Sequence, residues 1–246
     1  NRVVFRDDPV NGPNHLKEAG KPIGHQNRYL AVGNYETIDD VFNNAQTGSI
    51  NSVAPGQVVP GDFIYIDFDS NGILNGQDKV AVDELNYPLH TYGLNLGFDW
   101  KGLSFSAMFY APTGVYKLVN SVYSASFKSG KINAQPDVMN AWTPETANTS
   151  GVRAPALHLT NDGAFNGTES TYRYQNFSYL RLKTMELGYN LPKKWLKTVG
   201  LKSLQVYVTG NNLLTWWGGD DRIDPEGEQA KYPILRSFTS GVRVSF

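Results

Sequence analysis

Thr91-Tyr92-Gly93-Leu94-Asn95-Leu96-Gly97-Phe98-Asp99-Trp100 alternates without a fault. Tyr92, Leu94, Leu96, Phe98 and Trp100 fall on one face; Thr91, Gly93, Asn95, Gly97 and Asp99 fall on the other. Successive side chains of a strand point to opposite faces, so period two over ten residues predicts a strand. Lys101-Gly102 then offers a tight turn. The following stretch repeats the pattern, with Leu103, Phe105, Ala107 and Phe109 against Ser104, Ser106, Met108 and Tyr110.

Outward from this pair, three more strands are legible. One runs from Tyr172 to Asn190, but its phase shifts: Leu180 and Leu182 share a face, whereas Met185, Leu187 and Tyr189 take the other. A bulge near Lys183 or Thr184 would produce that shift. Another sets Leu204, Val206 and Val208 against Gln205, Tyr207 and Thr209. The last sets Phe238, Val242, Val244 and Phe246 against Thr239, Gly241, Arg243 and Ser245. The reading therefore divides the chain into residues 1–90, irregular and holding a short helix after Thr37, and residues 91–246, strands with long polar loops at 112–170 and 217–232. Thr37-Ile38-Asp39-Asp40 looks like a capping box, with Ile38, Val41, Phe42 and Ala45 on the apolar side of the helix.

The composition narrows the class. The 246 residues carry a formal net charge of -1, which points to no nucleic-acid partner. Only 18% are charged and 13% aromatic, and cysteine is absent, so disulfides and thiol chemistry are excluded. No apolar run is long enough for a transmembrane helix. The chain starts at Asn1 without a leader, so a signal peptide is absent, removed, or part of a longer parent chain. A charge-poor, aromatic-rich chain of alternating strands fits a membrane β-barrel, where only every second residue meets lipid.

A soluble β-sandwich also alternates, but three features favour the membrane. Connections alternate short and long, as in outer-membrane barrels with short periplasmic turns and long external loops. The chain ends in a strand on Phe246, similar to the insertion signal of barrel proteins, which places both long loops and the segment before Thr91 outside. Trp100, Trp195, Trp216 and Trp217 sit at strand ends, where interfacial girdles form. The expected fold is all-β: the C-terminal strands of a large antiparallel transmembrane barrel in the bacterial outer membrane. Five strands cannot close such a barrel, so the remainder of the same protein must supply the rest.

The motifs now suggest a family. Pro60-Gly61-Asp62 leads into Tyr65-Ile66-Asp67-Phe68-Asp69-Ser70-Asn71-Gly72; the Tyr92–Trp100 strand, Trp142-Thr143-Pro144-Glu145, Tyr179-Leu180-Arg181-Leu182-Lys183, Leu187-Gly188-Tyr189-Asn190-Leu191-Pro192 and Gly210-Asn211-Asn212-Leu213 follow in order. Together, over about residues 21–246, they resemble the C-terminal quarter of the SusC/RagA family of TonB-dependent transporters of Bacteroidetes. The resemblance implies a barrel of 22 strands plugged by an N-terminal domain, energised through TonB. It implies import of oligosaccharides or peptides and a SusD-like surface lipoprotein as partner, with outer-membrane lipid around the barrel.

One further constellation stands apart. Asp67, Asp69, Asn71, Asn75 and Asp78 occupy ligand positions of an EF-hand-like loop, with Gly72 at the sharp turn and Ile73 offering its backbone carbonyl. Calcium takes six or more oxygens, and this spacing supplies them. Asp78 stands where such loops carry Glu, which weakens the site, and a metal-free Asx-type turn is the plain alternative. Trp216 and Trp217 could stack a sugar, or belong to the girdle; Tyr116 and Tyr123 could touch cargo or a partner, or pack the loop. Lys193, Lys194 and Lys197 read as a solvated turn. His15, His25, His90 and His158 show no metal or triad spacing, and no acid pair can be placed across a cleft, so an enzyme ranks last. The alternative function is a soluble calcium-dependent carbohydrate-binding β-domain.

Overall fold

A computed structural model describes residues 2–8, 12–44, 58–119, 134, 136–147, 154–157, 166–227, 229 and 231–246. The chain forms two compact units: Asn1–Asn86 with Lys117–Gln175, and Tyr87–Tyr116 with Asn176–Phe246. Residues 117–170, most of the expected 112–170 loop, thus belong with the first unit, as do residues 171–175, where a strand was expected to begin at Tyr172.

In the first unit, β1 (Gln26–Arg28) pairs antiparallel with β4 (Val80–Val82), and β2 (Ala31–Asn34) with β3 (Phe63–Tyr65). Between them lies α1 (Ile38–Asn44). The capping box forms: Thr37 Oγ1 accepts the Asp40 amide at 3.1 Å, and Asp40 Oδ2 accepts the Thr37 amide at 2.8 Å. The expected apolar side is not buried as a whole. Val41 is 7% exposed, but Ile38 and Phe42 are 53% and 79% exposed, and Ala45 lies outside the described residues. A helix of two turns can aim one narrow stripe at its own core, and here Val41 takes it.

The core of this unit is Tyr29, Phe63, Tyr65 and Leu74, with Ala31, Val58 and Tyr172 packed against it. Two of the quoted motifs meet beside it. The Trp142 ring covers Gly61 so closely that a Cβ there would come within 2.6 Å of it, and Trp142 Nε1 donates to Glu36 at 3.0 Å. Asp62 is buried and fully partnered: it accepts the Val59 amide at 2.9 Å and Asn166 Nδ2 at 2.6 Å.

The second unit is the predicted sheet. β5 (His90–Trp100) and β6 (Leu103–Thr113) form a hairpin over Lys101-Gly102, whose φ values of 47° and 92° suit a two-residue turn. A short pair, β7 (Tyr116–Leu118) with β8 (Tyr174–Asn176), follows in the chain, with all but Tyr116 and Asn176 counted in the first unit. β9 (Tyr179–Asn190), β10 (Ser203–Trp217) and β11 (Ser237–Ser245) complete an antiparallel sheet of order β11-β10-β9-β6-β5. The predicted strand from Tyr172 is interrupted at Phe177-Ser178, where the Phe177 amide donates to Val115 and the Ser178 hydroxyl accepts from the Gly114 amide. The turn before β10 holds α2 (Lys193–Leu196).

The predicted bulge is present. Between Met108 and Phe109 on β6, β9 passes from Thr184 to Leu182, so Lys183 is an extra residue. β10 passes from Asn211 to Leu214 over the same step. The bulge keeps Leu180 and Leu182 on the face of Phe109, and Met185, Leu187 and Tyr189 on that same face below it. One side of the sheet therefore reads Tyr92, Leu94, Phe105, Phe109, Leu187, Val206, Val208, Trp216, Val242 and Val244. These side chains are mostly exposed, as a lipid-facing surface is when lipid is not counted. Among the described residues, no strand pairs with the outer edge of β5 or β11.

This division of faces predicts unequal tolerance of charge. In the full-length protein, Leu96→Arg should cost about 2–4 kcal/mol of barrel stability, and Asn95→Arg close to none. Heat-modifiable migration of outer-membrane fractions checks this; equal loss of the folded band in both variants would refute the assignment of faces.

Candidate functional site

The EF-hand-like loop lies between β3 and β4. Gly72 adopts φ 78°, the left-handed turn expected at that position, and Ser70 adopts φ 58°. The structure brings Asp67, Asp69 and Asp78 together: one carboxylate oxygen from each lies within 4.8 Å of the others. Asp78 is 1% exposed; its Oδ1 accepts the Phe68 amide at 2.9 Å and its Oδ2 the Asn75 amide at 2.6 Å. Among the described residues, no ion pair joins any of the three to Lys or Arg.

The other predicted ligands are present but occupied within the loop. Asn71 Oδ1 accepts the Ile73 amide at 2.7 Å, the Ile73 carbonyl accepts Asn75 Nδ2 at 3.1 Å, and Asn75 Oδ1 accepts the Gln77 amide at 2.8 Å. These are Asx-type bonds. From the N-terminal segment, the His15 ring packs on Phe68 at 4.5 Å and Nε2 contacts the Gln77 carbonyl oxygen at 2.7 Å, a contact that alternation and spacing gave no means to anticipate.

Amide donation also tunes the loop electrostatically. The Gly72 amide at 2.7 Å and the Asn71 amide at 3.3 Å favour the charged form of Asp67 and hold its carboxyl below the ordinary aspartate range.

In the second unit, the face opposite the apolar one is polar. Glu186, Gln205, Thr209 and Arg243 form a row across three strands: Arg243 donates to Glu186 at 3.0 Å and to Gln205 at 2.9 Å, and the Thr209 hydroxyl donates to Glu186 at 3.1 Å. The two tryptophans at the end of β10 separate. Trp216 points to the apolar side, while Trp217 packs against the buried Phe177 with centroids 5.1 Å apart. Tyr116 is half-buried in β7, and Tyr123 lies outside the described residues. Phe246 follows β11 and is exposed. Sequence reading missed the buried Arg181, whose partners Asp224 and Glu226 lie in the β10–β11 connection; a charged residue at a polar-face position was the available signal.

Asp67 supplies a pH prediction. A depressed carboxylate contributes stability that is fully present above its unfolded value of about 3.9 and is lost as pH falls through its folded value. Hydrogen exchange of the peptide spanning residues 66–79, corrected for intrinsic rates, should show protection unchanged from pH 7 to about 5 and falling only below about 4. Loss of protection already between pH 7 and 5 would contradict this.

Comparison with known proteins agrees with the geometry. No protein-family profile matches the chain. TonB-dependent receptor P3 of Formosa agariphila is 30% identical over 206 residues, which cover 78% of this chain and 20% of the relative. TonB-dependent receptor P26 of the same organism is 31% identical over 210 residues, covering 76% and 20%. The chain thus spans about a fifth of the length of these curated relatives. The RagAB peptide importer in its open-open state superposes with TM-score 0.63 at 25% identity, over 93% of this chain and 23% of that one. Its closed-closed state gives TM-score 0.63 over 94% and 24%. Receptors and an importer as relatives set aside the soluble carbohydrate-binding alternative. With a sheet apolar on one face and polar on the other, and with these relatives, the chain is a portion of an outer-membrane β-barrel similar to those of TonB-dependent receptors of the SusC/RagA type.

Proposed function

We propose that the longer protein containing this chain imports oligosaccharides or peptides across the outer membrane, driven through TonB and capped by a SusD-like lipoprotein. The observation that carries this reading is the division of the sheet. An apolar outer face meets lipid, while a wall bearing Glu186, Gln205, Thr209 and Arg243 suits a hydrated, polar path. Similarity to a protein described as a peptide importer supports it. In this reading Phe246 ends the strand recognised for barrel insertion, and Trp216 belongs to the interfacial girdle. Tyr116, Tyr123 and Trp217 are candidates for cargo contact, Trp217 with its ring braced by Phe177.

Full-length receptor purified in detergent should carry an oligosaccharide or oligopeptide and a lipoprotein partner. Native mass spectrometry checks both. Release of neither cargo class from receptor isolated from glycan- and peptide-fed cells would count against import of these substrates.

The loop at Asp67–Asp78 is assigned in the same proposal to a structural calcium ion. The supporting observation is electrostatic: three carboxylates converge within 4.8 Å with no cationic side chain paired to them among the described residues, and their mutual repulsion is offset by a divalent cation. Asp67, Asp69 and Asp78 would hold it, with Asn71, Asn75 and the Ile73 carbonyl completing the oxygen set after exchanging their present hydrogen bonds. The ion would stiffen the loop on the outer side of the membrane and take no part in chemistry.

Millimolar calcium should raise the unfolding temperature of the full-length receptor by several degrees, with magnesium doing less, because ligand binding to the native state alone stabilises it. The Asp67→Asn, Asp69→Asn variant should lose the response. Equal response of variant and parent would remove calcium from this loop.

A further inference from the structure

Residues 218–227, the first part of the β10–β11 connection, fold back onto the sheet. β10 ends at Trp217, level with Tyr179 on β9. The chain then turns tightly over its own last ring: a Cβ on Gly219 would lie 2.3 Å from the Trp217 ring, so any larger residue there must displace that ring. Ile223 and Pro225 are buried beyond the turn. Asp224 and Glu226 then reach back to Arg181, which pairs in the ladder with Thr215. That is two residues below the strand end, about 7 Å at the usual rise.

The side of the sheet follows from alternation. Leu180, Leu214 and Trp216 point to the apolar, lipid-facing side, so Tyr179, Arg181 and Thr215 point to the opposite, inner side. Arg181 is 2% exposed and every donor group points at an acceptor: Nε to Thr215 Oγ1 at 2.9 Å, Nη1 to Glu226 at 2.8 Å and Nη2 to Asp224 at 2.8 Å. Lys183, the bulge residue, also pairs with Glu226. Asp224 Oδ1 further accepts the amides of Glu226 at 2.9 Å and Gly227 at 3.2 Å, which shapes the segment itself. Burial disfavours the charged form of Asp224, but Arg181 and these amides outweigh it and hold its carboxyl below the ordinary range. A buried guanidinium with two carboxylates is a strong, geometrically fixed anchor, because leaving either partner unpaired strands a desolvated charge.

Resting on the import reading above, we infer that residues 218–227 form a fixed strap lying against the inner wall at the outer mouth of the barrel. It is latched by Arg181 and Lys183, and it narrows the path that cargo takes. Its tip, Asp221 and Arg222, is exposed, and in this inference it is the part that meets cargo. Arg222 donates to Asp220 at 2.9 Å, a pair local to the tip; the hold on the sheet comes from Asp224 and Glu226. The strap sets an upper size for what enters on this side of the mouth.

The test uses the full-length receptor in intact cells, with no other reactive surface cysteine; this chain itself has none. Asp221→Cys is treated with a small fluorescent maleimide or a 5-kDa polyethylene-glycol maleimide, with Tyr232→Cys, farther along the same connection, as the open control. Asp221→Cys should react with the small reagent and at least tenfold more slowly than Tyr232→Cys with the large one. Adding Arg181→Met should bring the large-reagent rate up to that of Tyr232→Cys. Should Arg181→Met not reach the membrane, Glu226→Gln removes one latch partner and should raise the rate in the same direction. Equal large-reagent rates at Asp221→Cys and Tyr232→Cys in the parent would overturn the strap, as would a rate unmoved by either latch variant. Labelling does not depend on transport. A strap confirmed in a receptor carrying neither oligosaccharide nor peptide would count against the cargo reading alone, and loss of labelling at Tyr232→Cys would count against the outer-membrane placement.

Discussion

Hydrocarbon offers a peptide N–H or C=O no water to bond, and the second unit of this protein is organised by that constraint. Every strand must spend its backbone groups on a neighbour, which is why β5, β6, β9, β10 and β11 pair in one continuous antiparallel ladder. The hairpin over Lys101-Gly102 gives the shortest route between two such strands. The edges at β5 and β11 carry the same demand outward, and strands from elsewhere in the longer protein must meet it. A chain that spans about a fifth of its relatives shows an open sheet for this reason.

The second constraint is that each strand has one wet and one dry side. β9 obeys it only through its bulge. Arg181 and Glu186 are five residues apart and would otherwise fall on opposite faces; the extra residue at Lys183 lets both point inward while Leu182 and Leu187 point to lipid. The bulge thereby does two things at once. It corrects the phase for the membrane, and it places a lysine beside Arg181 where both meet the returning β10–β11 connection.

The first unit answers a different problem, since its short strands bury charged groups without a large apolar core. Asp62 and Asp78 are almost fully buried, and each is satisfied by amides, with Asn166 added at Asp62. Arg28 is paired with Glu84 and lies over the Tyr174 ring at 3.1 Å. Hydrogen-bonded polar centres of this kind define one arrangement of loops, because each alternative leaves a buried group unpaired.

Much of this was legible beforehand. Alternation located β5, β6, β9, β10 and β11, the phase shift located the bulge, and spacing grouped Asp67, Asp69 and Asp78. Each is a local property, set by side-chain direction along a strand or by a turn of a few residues. The exposure of Ile38 and Phe42 was not legible, because a short amphipathic helix does not say how wide a core it will meet. Nor was the meeting of Trp142 with Gly61, of Asp62 with Asn166, or of Arg181 with Asp224, pairs separated by 81, 104 and 43 positions. By itself the sequence determined which residues face which way along each strand, since the period of two is written residue by residue. Only the tertiary structure decided which distant charges and rings meet, because those contacts depend on how the chain returns on itself, and the backbone's local preferences do not encode that return.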